Sequence, residues 1–166
     1  MKGFVPVDIP TKKYIKAYII SKLGAKPLMI KGSSIAQKLY DILEHTTNER
    51  ASEFKSKHYT ETLRIYIPIR LFRVRGANLN ESNVKNFNLF IEDELKDRFH
   101  MIMDDMIDIL PNFNSNLPVV RKRIGIDIEA WSDDSMKKDY YRYRKYLNKG
   151  HYLDKYAGRS FSRNVR

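Results

Sequence analysis

Cysteine is absent from the 166 residues, which removes disulfide frameworks, thiolate nucleophiles and thiolate-ligated zinc or iron–sulfur centres in one step. No apolar run approaches the roughly eighteen residues that span a bilayer. Met1 to Tyr14 contains no apolar segment of the kind a secretory signal needs, so a cytoplasmic location is the expectation. The phosphate-binding loops G-x-x-x-x-G-K-[ST] and G-x-G-x-x-G and the nucleophile elbow G-x-S-x-G are missing, and Ile30-Lys31-Gly32-Ser33-Ser34 approaches the first only in composition. The four histidines, His45, His58, His100 and His151, are scattered and form no ligand set. No Arg-His-Arg constellation accompanies the eleven tyrosines, which argues against tyrosine-mediated strand transfer. An enzyme is not expected, and no cofactor or metal.

What is abundant is positive charge: 31 Lys and Arg against 20 Asp and Glu, a formal net charge of +11. Its distribution is uneven. Residues 1–75 carry +9, residues 76–136 carry −6, and the last thirty, Lys137 to Arg166, carry +8 with six tyrosines. A chain polarised in this way suits a phosphate polymer, because each neutralised phosphate releases condensed counterions whatever the base sequence. Hydrophobic content of 42% is ordinary for a folded chain, and this length allows one domain with a core or a core plus a satellite.

Periodicity divides the chain into elements. Phe4 to Ile9 reads as a short strand, Pro6 placing it at an edge or an entry position. Pro10 and Thr11 read as the start of a helix carrying Tyr14, Ile15, Tyr18, Ile19 and Leu23 and stopped by Gly24. Pro27 to Ile30 reads as a second strand, and Gly32-Ser33-Ser34 as the cap of a helix lined by Ile35, Leu39, Ile42 and Leu43. Glu44 to Lys57 is polar and unpatterned, a loop. Thr60 to Val74 alternates as a strand, bent at Pro68 or lying at an edge, whose outward Arg64, Arg70 and Tyr66 are available for contact. A helix of roughly Glu81 to Leu110 follows, with the stripe Val84, Phe87, Ile91, Leu95, Phe99, Ile102, Met106 and Ile109. Its length, on the order of 45 Å, suggests a rod that bridges two parts or packs on its own copy as a homodimer. Pro111 to Asn116 reads as a boundary, Pro118 as the first residue of a helix ended by Gly125, and Ser132 as the cap of a last helix running to about Leu147. The expected architecture is α+β: a small N-terminal β-α-β-α-β unit (1–76), a long connecting helix (77–110), a helix-turn-helix (117–149) and a basic flexible tail (150–166).

On the last helix Met136, Tyr140, Tyr143 and Leu147 define a buried stripe, while Lys138, Arg142, Lys145 and Lys149 form a second stripe and Lys137, Tyr141 and Arg144 a third. The layout of helix, glycine turn and helix is that of a helix-turn-helix. The run Asp139-Tyr140-Tyr141-Arg142-Tyr143-Arg144-Lys145 resembles the C-terminal helices of small helix-turn-helix DNA-binding proteins of bacteriophages and mobile elements, a resemblance covering the last third of the chain. It implies a transcriptional regulator or a replication or recombination accessory factor. In that reading Lys137, Lys138, Lys145 and Lys149 meet phosphates, Arg142, Arg144 and Tyr141 reach the groove, and Arg121, Lys122 and Arg123 clamp flanking backbone. Lys155, Arg159 and Arg163, among Tyr152, Tyr156 and Phe161, suit an arm that orders on a duplex or stacks with unpaired bases. One departure stands out: Asp133 and Asp134 occupy the first turn, where phosphates repel them. The helix would therefore enter a groove through its middle or lie along the backbone.

Two other readings compete. His100 and Asp104, four apart and near Asp97, Asp105 and Asp108, have a ligand spacing, but an acidic outer helix face explains them more simply. Ile124 to Glu129 resembles the first strand of RNase H-like and exonuclease folds, yet only 37 residues follow Glu129, too few to complete such a fold. Trp131 is expected as an anchor between the last two helices. The alternatives to DNA binding are an RNA-binding protein, or a virion or ribonucleoprotein assembly component with a basic interaction tail.

Overall fold

The computed structural model describes residues 3–29, 32–44 and 58–148. Within them the order is β1 (Phe4–Thr11), α1 (Lys13–Leu23), α2 (Ser34–Ile42), β2 (Glu61–Pro68), α3 (Ile69–Arg75), α4 (Glu81–Ile109), α5 (Phe113–Ile124) and α6 (Asp133–Asn148). Helix and strand are mixed, as an α+β chain requires. Two compact units result, Met1–Trp131 and Ser132–Arg166. The expected loop lies outside the described residues apart from Glu44, and the basic tail does so entirely.

In the first unit β1 and β2 pair antiparallel, from Phe4 opposite Pro68 to Thr11 opposite Glu61. Alternation turns Val7, Ile9, Leu63, Ile65 and Ile67 inward, where all five are buried. On the other face Arg64 forks onto its register partner, donating from Nε and an Nη to the two oxygens of Asp8, both at 2.8 Å. Pro6 and Pro10 fall on the same parity of β1. An edge strand tolerates this, because alternate N–H groups point away from the partner.

The expected strand at Pro27 to Ile30 contracts to one parallel bridge on the far side of β2. Met29 N–H donates to the Tyr66 carbonyl and Tyr66 N–H to the Pro27 carbonyl, both at 2.9 Å. The strand read through Val74 ends at Pro68 and continues as α3. Proline cannot donate to a ladder, and its fixed φ, here −58°, leads into the helix that Gly76 stops at φ 78°. β1 likewise runs on to Thr11, so α1 starts at Lys13 rather than at a Pro10–Thr11 cap.

α4 is the spine of this unit. Asn80 caps it, accepting from Asn83 N–H at 2.8 Å. Its residues Val84, Phe87, Ile91, Leu95 and Phe99 are fully buried against β1, α1, α2 and α5. The stripe is thus buried within the chain as far as Ile102, while Ile109 at its far end is exposed. Polar ties fix the register of β1 on α4. Thr11 donates to Asn88 Oδ1 at 2.6 Å, and Asn88 Nδ2 donates to the carbonyls of Pro10 and Val84, each at 2.9 Å. Glu92 accepts from Lys12 at 2.5 Å and Lys96 at 2.8 Å.

α5 starts at Phe113, five residues before the expected Pro118. Asn112 caps it by accepting from Ser115 N–H at 3.2 Å, and Pro118 lies inside the helix on its exposed side. Phe113, Leu117, Val120 and Ile124 form its buried face. Gly125 closes the helix in the left-handed region at φ 73° and ψ 35°. A Cβ there would stand 2.4 Å from that of Ser21, whose hydroxyl donates to the carbonyls of Tyr18 and, at 3.3 Å, of Ile124. The connector ends at Trp131. Its ring stacks on Tyr14 of α1 at 5.5 Å and meets Phe99 of α4 edge-on at 5.2 Å, so it anchors the connector to α1 and α4.

Candidate nucleic-acid interface

The second unit contains α6, whose start follows from its sequence. Ser132 Oγ accepts from Ser135 N–H at 3.3 Å, and Asp133 and Asp134 complement the positive helix end. Met136 and Tyr140 are buried and Tyr143 and Leu147 half-buried, so the expected apolar stripe is one side of the helix. The rings of Tyr140 and Tyr143 lie 6.0 Å apart along it.

The remaining arc is cationic. Lys138, Arg142 and Lys145 repeat at helical spacing beside Tyr141 and Arg144; all five are exposed, and Lys137 is half-buried. Asp139, half-buried, is the single acid between Met136 and Asn148. Each guanidinium offers a planar fork that fits a phosphate or a guanine edge bidentately, each ammonium a point charge, and Tyr141 a phenol that hydrogen-bonds or stacks. Five exposed groups of this kind on one helix arc have the chemistry of a polyanion grip. Lys149, Lys155, Arg159 and Arg163 lie outside the described residues.

The three basic residues expected as flanking clamps separate into two kinds. Lys122 and Arg123 are exposed on the last turn of α5. Arg121 instead holds the connector: its guanidinium donates to the Asp127 carbonyl at 2.9 Å and to the Trp131 carbonyl at 2.6 Å. With Asp127 Oδ1 accepting from Ala130 N–H at 2.7 Å, this sets the course of the chain between Gly125 and Trp131. α5 belongs to the first unit and α6 to the second, so the pair read from sequence as one helix-turn-helix is divided between them.

Among the outward residues of the expected long strand, Arg64 is tied to Asp8, and Arg70 lies on α3. The basic character of this segment, unlike its helix, is legible in sequence: Thr62 to Asn80 contains no acid and holds Arg64, Arg70, Arg73 and Arg75. Arg70, Arg73 and Arg75 are exposed alongside Ile69, Phe72 and Val74, and no residue of α3 is buried. The His100–Asp104 spacing leads to no cluster. His100 is buried against Phe99, and among the described residues no three His, Asp or Glu side chains stand close enough to share a metal. No helix among the described residues is long and apolar enough to cross a membrane. No protein-family model, curated protein or solved structure matches the chain.

Proposed function

We propose that this chain is a nucleic-acid-binding protein rather than an enzyme, and that α6 grips the phosphate backbone of DNA. The observation that carries the reading is the exposed cationic arc of Lys138, Tyr141, Arg142, Arg144 and Lys145, opposite the apolar stripe of the same helix. The acids Asp133 and Asp134 at the helix start favour a groove approach through the middle of α6, where Arg142 and Arg144 stand. Lys122 and Arg123 serve as additional backbone contacts, and the helix-turn-helix role of α5 and α6 belongs to this proposal. So does the biological setting implied by the run Asp139 to Lys145, a transcriptional regulator or a replication or recombination accessory factor of a phage or mobile element.

The test is a binding titration of the full chain against a labelled duplex across a salt series, with structured RNA as competitor. Phosphate binding makes log K fall linearly with log salt, by about 0.9 per phosphate neutralised. Replacing Lys138 and Lys145 by Ala should weaken binding to all sequences alike and flatten that slope by about 2. Replacing Arg142 and Arg144 by Ala should cost about 1–3 kcal/mol each on a retained genomic site and less on random DNA. Salt-independent binding, or affinity unchanged in the α6 variants, overturns the proposal. Preferential loss to RNA reassigns the polymer.

A further inference from the structure

α3 is an unusual surface element for a folded unit. It exposes Ile69 and Phe72 at 40% and 39% of their areas beside three exposed arginines, with none of its residues buried. A pure phosphate contact has no use for the isoleucine and the phenylalanine, whereas a protein contact uses apolar centre and charged rim together. The same unit carries a face of the opposite kind. From Phe99 to Val120 there is no Lys or Arg, in a chain with 31 of them. On the last turns of α4, Met101 and Ile109 are exposed at 59% and 79%, with Leu110 at 47%, and the exposed Asp105 and Asp108 lie among them. Successive steps of four residues place Met101, Asp105 and Ile109 on one line of the helix. Among the described residues no ion pair holds Arg70, Arg73, Arg75, Asp105 or Asp108.

Within the chain these two faces do not pair, both being exposed, and their far ends are widely separated. Ile109 stands about 42 Å along the helix axis from Glu81, at 1.5 Å per residue. Arg75 precedes Glu81 by six residues, which span about 21 Å when fully extended. Arg75 and Ile109 are therefore held at least about 20 Å apart. An apolar-basic face and an apolar-acidic face that fit in chemistry and are left exposed within one chain fit between two chains.

We propose that α3 of one chain docks on the C-terminal turns of α4 of a second copy, Arg70, Arg73 and Arg75 facing Asp105 and Asp108 around an apolar centre of Ile69, Phe72, Met101 and Ile109. The contact is head-to-tail: each copy uses one face and leaves the other open, so assembly continues beyond two chains unless the rotation closes a ring. This surface is independent of the nucleic-acid reading, since none of its residues lies on α5 or α6.

The test uses the full chain, freed of nucleic acid by nuclease, in sedimentation velocity across a concentration series at low and high salt. Self-association that grows past two chains and weakens with salt is expected. Arg70→Glu with Arg73→Glu makes both faces acidic, and Asp105→Lys with Asp108→Lys makes both basic. All four positions are exposed, so circular dichroism and melting temperature should match the parent. Each variant alone should lose about tenfold or more in association constant, and an equimolar mixture should regain it because opposite faces are again available. A parent that stays monomeric overturns the proposal, as does a variant that alone associates as tightly as the parent, or a mixture no tighter than its components. Cosedimentation of a monomeric parent with phosphatidylserine vesicles, lost in the arginine variant, would assign α3 to a lipid surface and equally end it.

Discussion

At the scale of single residues, the most constrained position is Gly125. It takes a left-handed backbone at φ 73° and sits with its Cα against Ser21. Gly125→Ala adds the left-handed penalty of an L side chain and an overpacked contact, together about 2–4 kcal/mol. Urea unfolding should show a lower midpoint with unchanged slope, and adding Ser21→Gly should recover only the overpacking part. Glycine as a helix stop is legible in sequence; that it also lies on a serine from α1 is not, because the two are 104 residues apart. The same limit explains Arg64 and Arg121. Sequence marks both as cations available for a ligand, but Asp8 across the ladder and the carbonyls of Asp127 and Trp131 hold them. Only a fold brings such partners close.

At the scale of elements, amphipathic faces were readable wherever one period dominated. α2 with its serine cap and α6 follow from spacing and capping chemistry, and α4 follows from spacing alone. Two misreadings have local causes. Ile69 to Arg75 continues the period-two pattern of β2, so nothing but Pro68 and Gly76 signals the change to helix. Pro111 to Asn116 is rich in turn formers, which hides the pair Phe113 and Leu117, four apart, that belongs to the face of α5. Pro118 inside α5 leaves the Asn114 carbonyl without its helical donor. Pro118→Ala should therefore stabilise the protein by about 1–3 kcal/mol, read as a raised melting temperature. For α4, whose stripe from Val84 to Ile102 lies in the core, Phe99→Ala should cost about 3–5 kcal/mol in urea unfolding.

At the scale of the whole molecule, charge segregation sets the response to conditions. Three carboxylates tie separate elements of the first unit: Asp8 to Arg64, Glu61 to Lys16 and Glu92 to Lys12 and Lys96. The hydrogen bond from Arg64 holds Asp8 below its ordinary value of 3.8, and that from Lys16 holds Glu61 below 4.5. Burial pushes Glu92 upward, but its two ammonium partners outweigh it and leave the carboxyl lowered. Depressed carboxylates contribute stability that is complete above the ordinary values and fades as pH falls through the lowered ones. Melting temperature should therefore be flat above about pH 5 and decline below about pH 4.5. Glu92→Gln should destabilise the protein at neutral pH by about 1–3 kcal/mol, read as a lower melting temperature, and make the acid decline shallower.

Pro6 and Pro10 have a consequence at this scale as well. β1 has β2 on one side and, among the described residues, no strand on the other. Its outer rail lacks two of the donors a foreign strand would need to zip on. A third strand joining along that rail would leave backbone acceptors unmatched, which makes β1 a poor template for further growth.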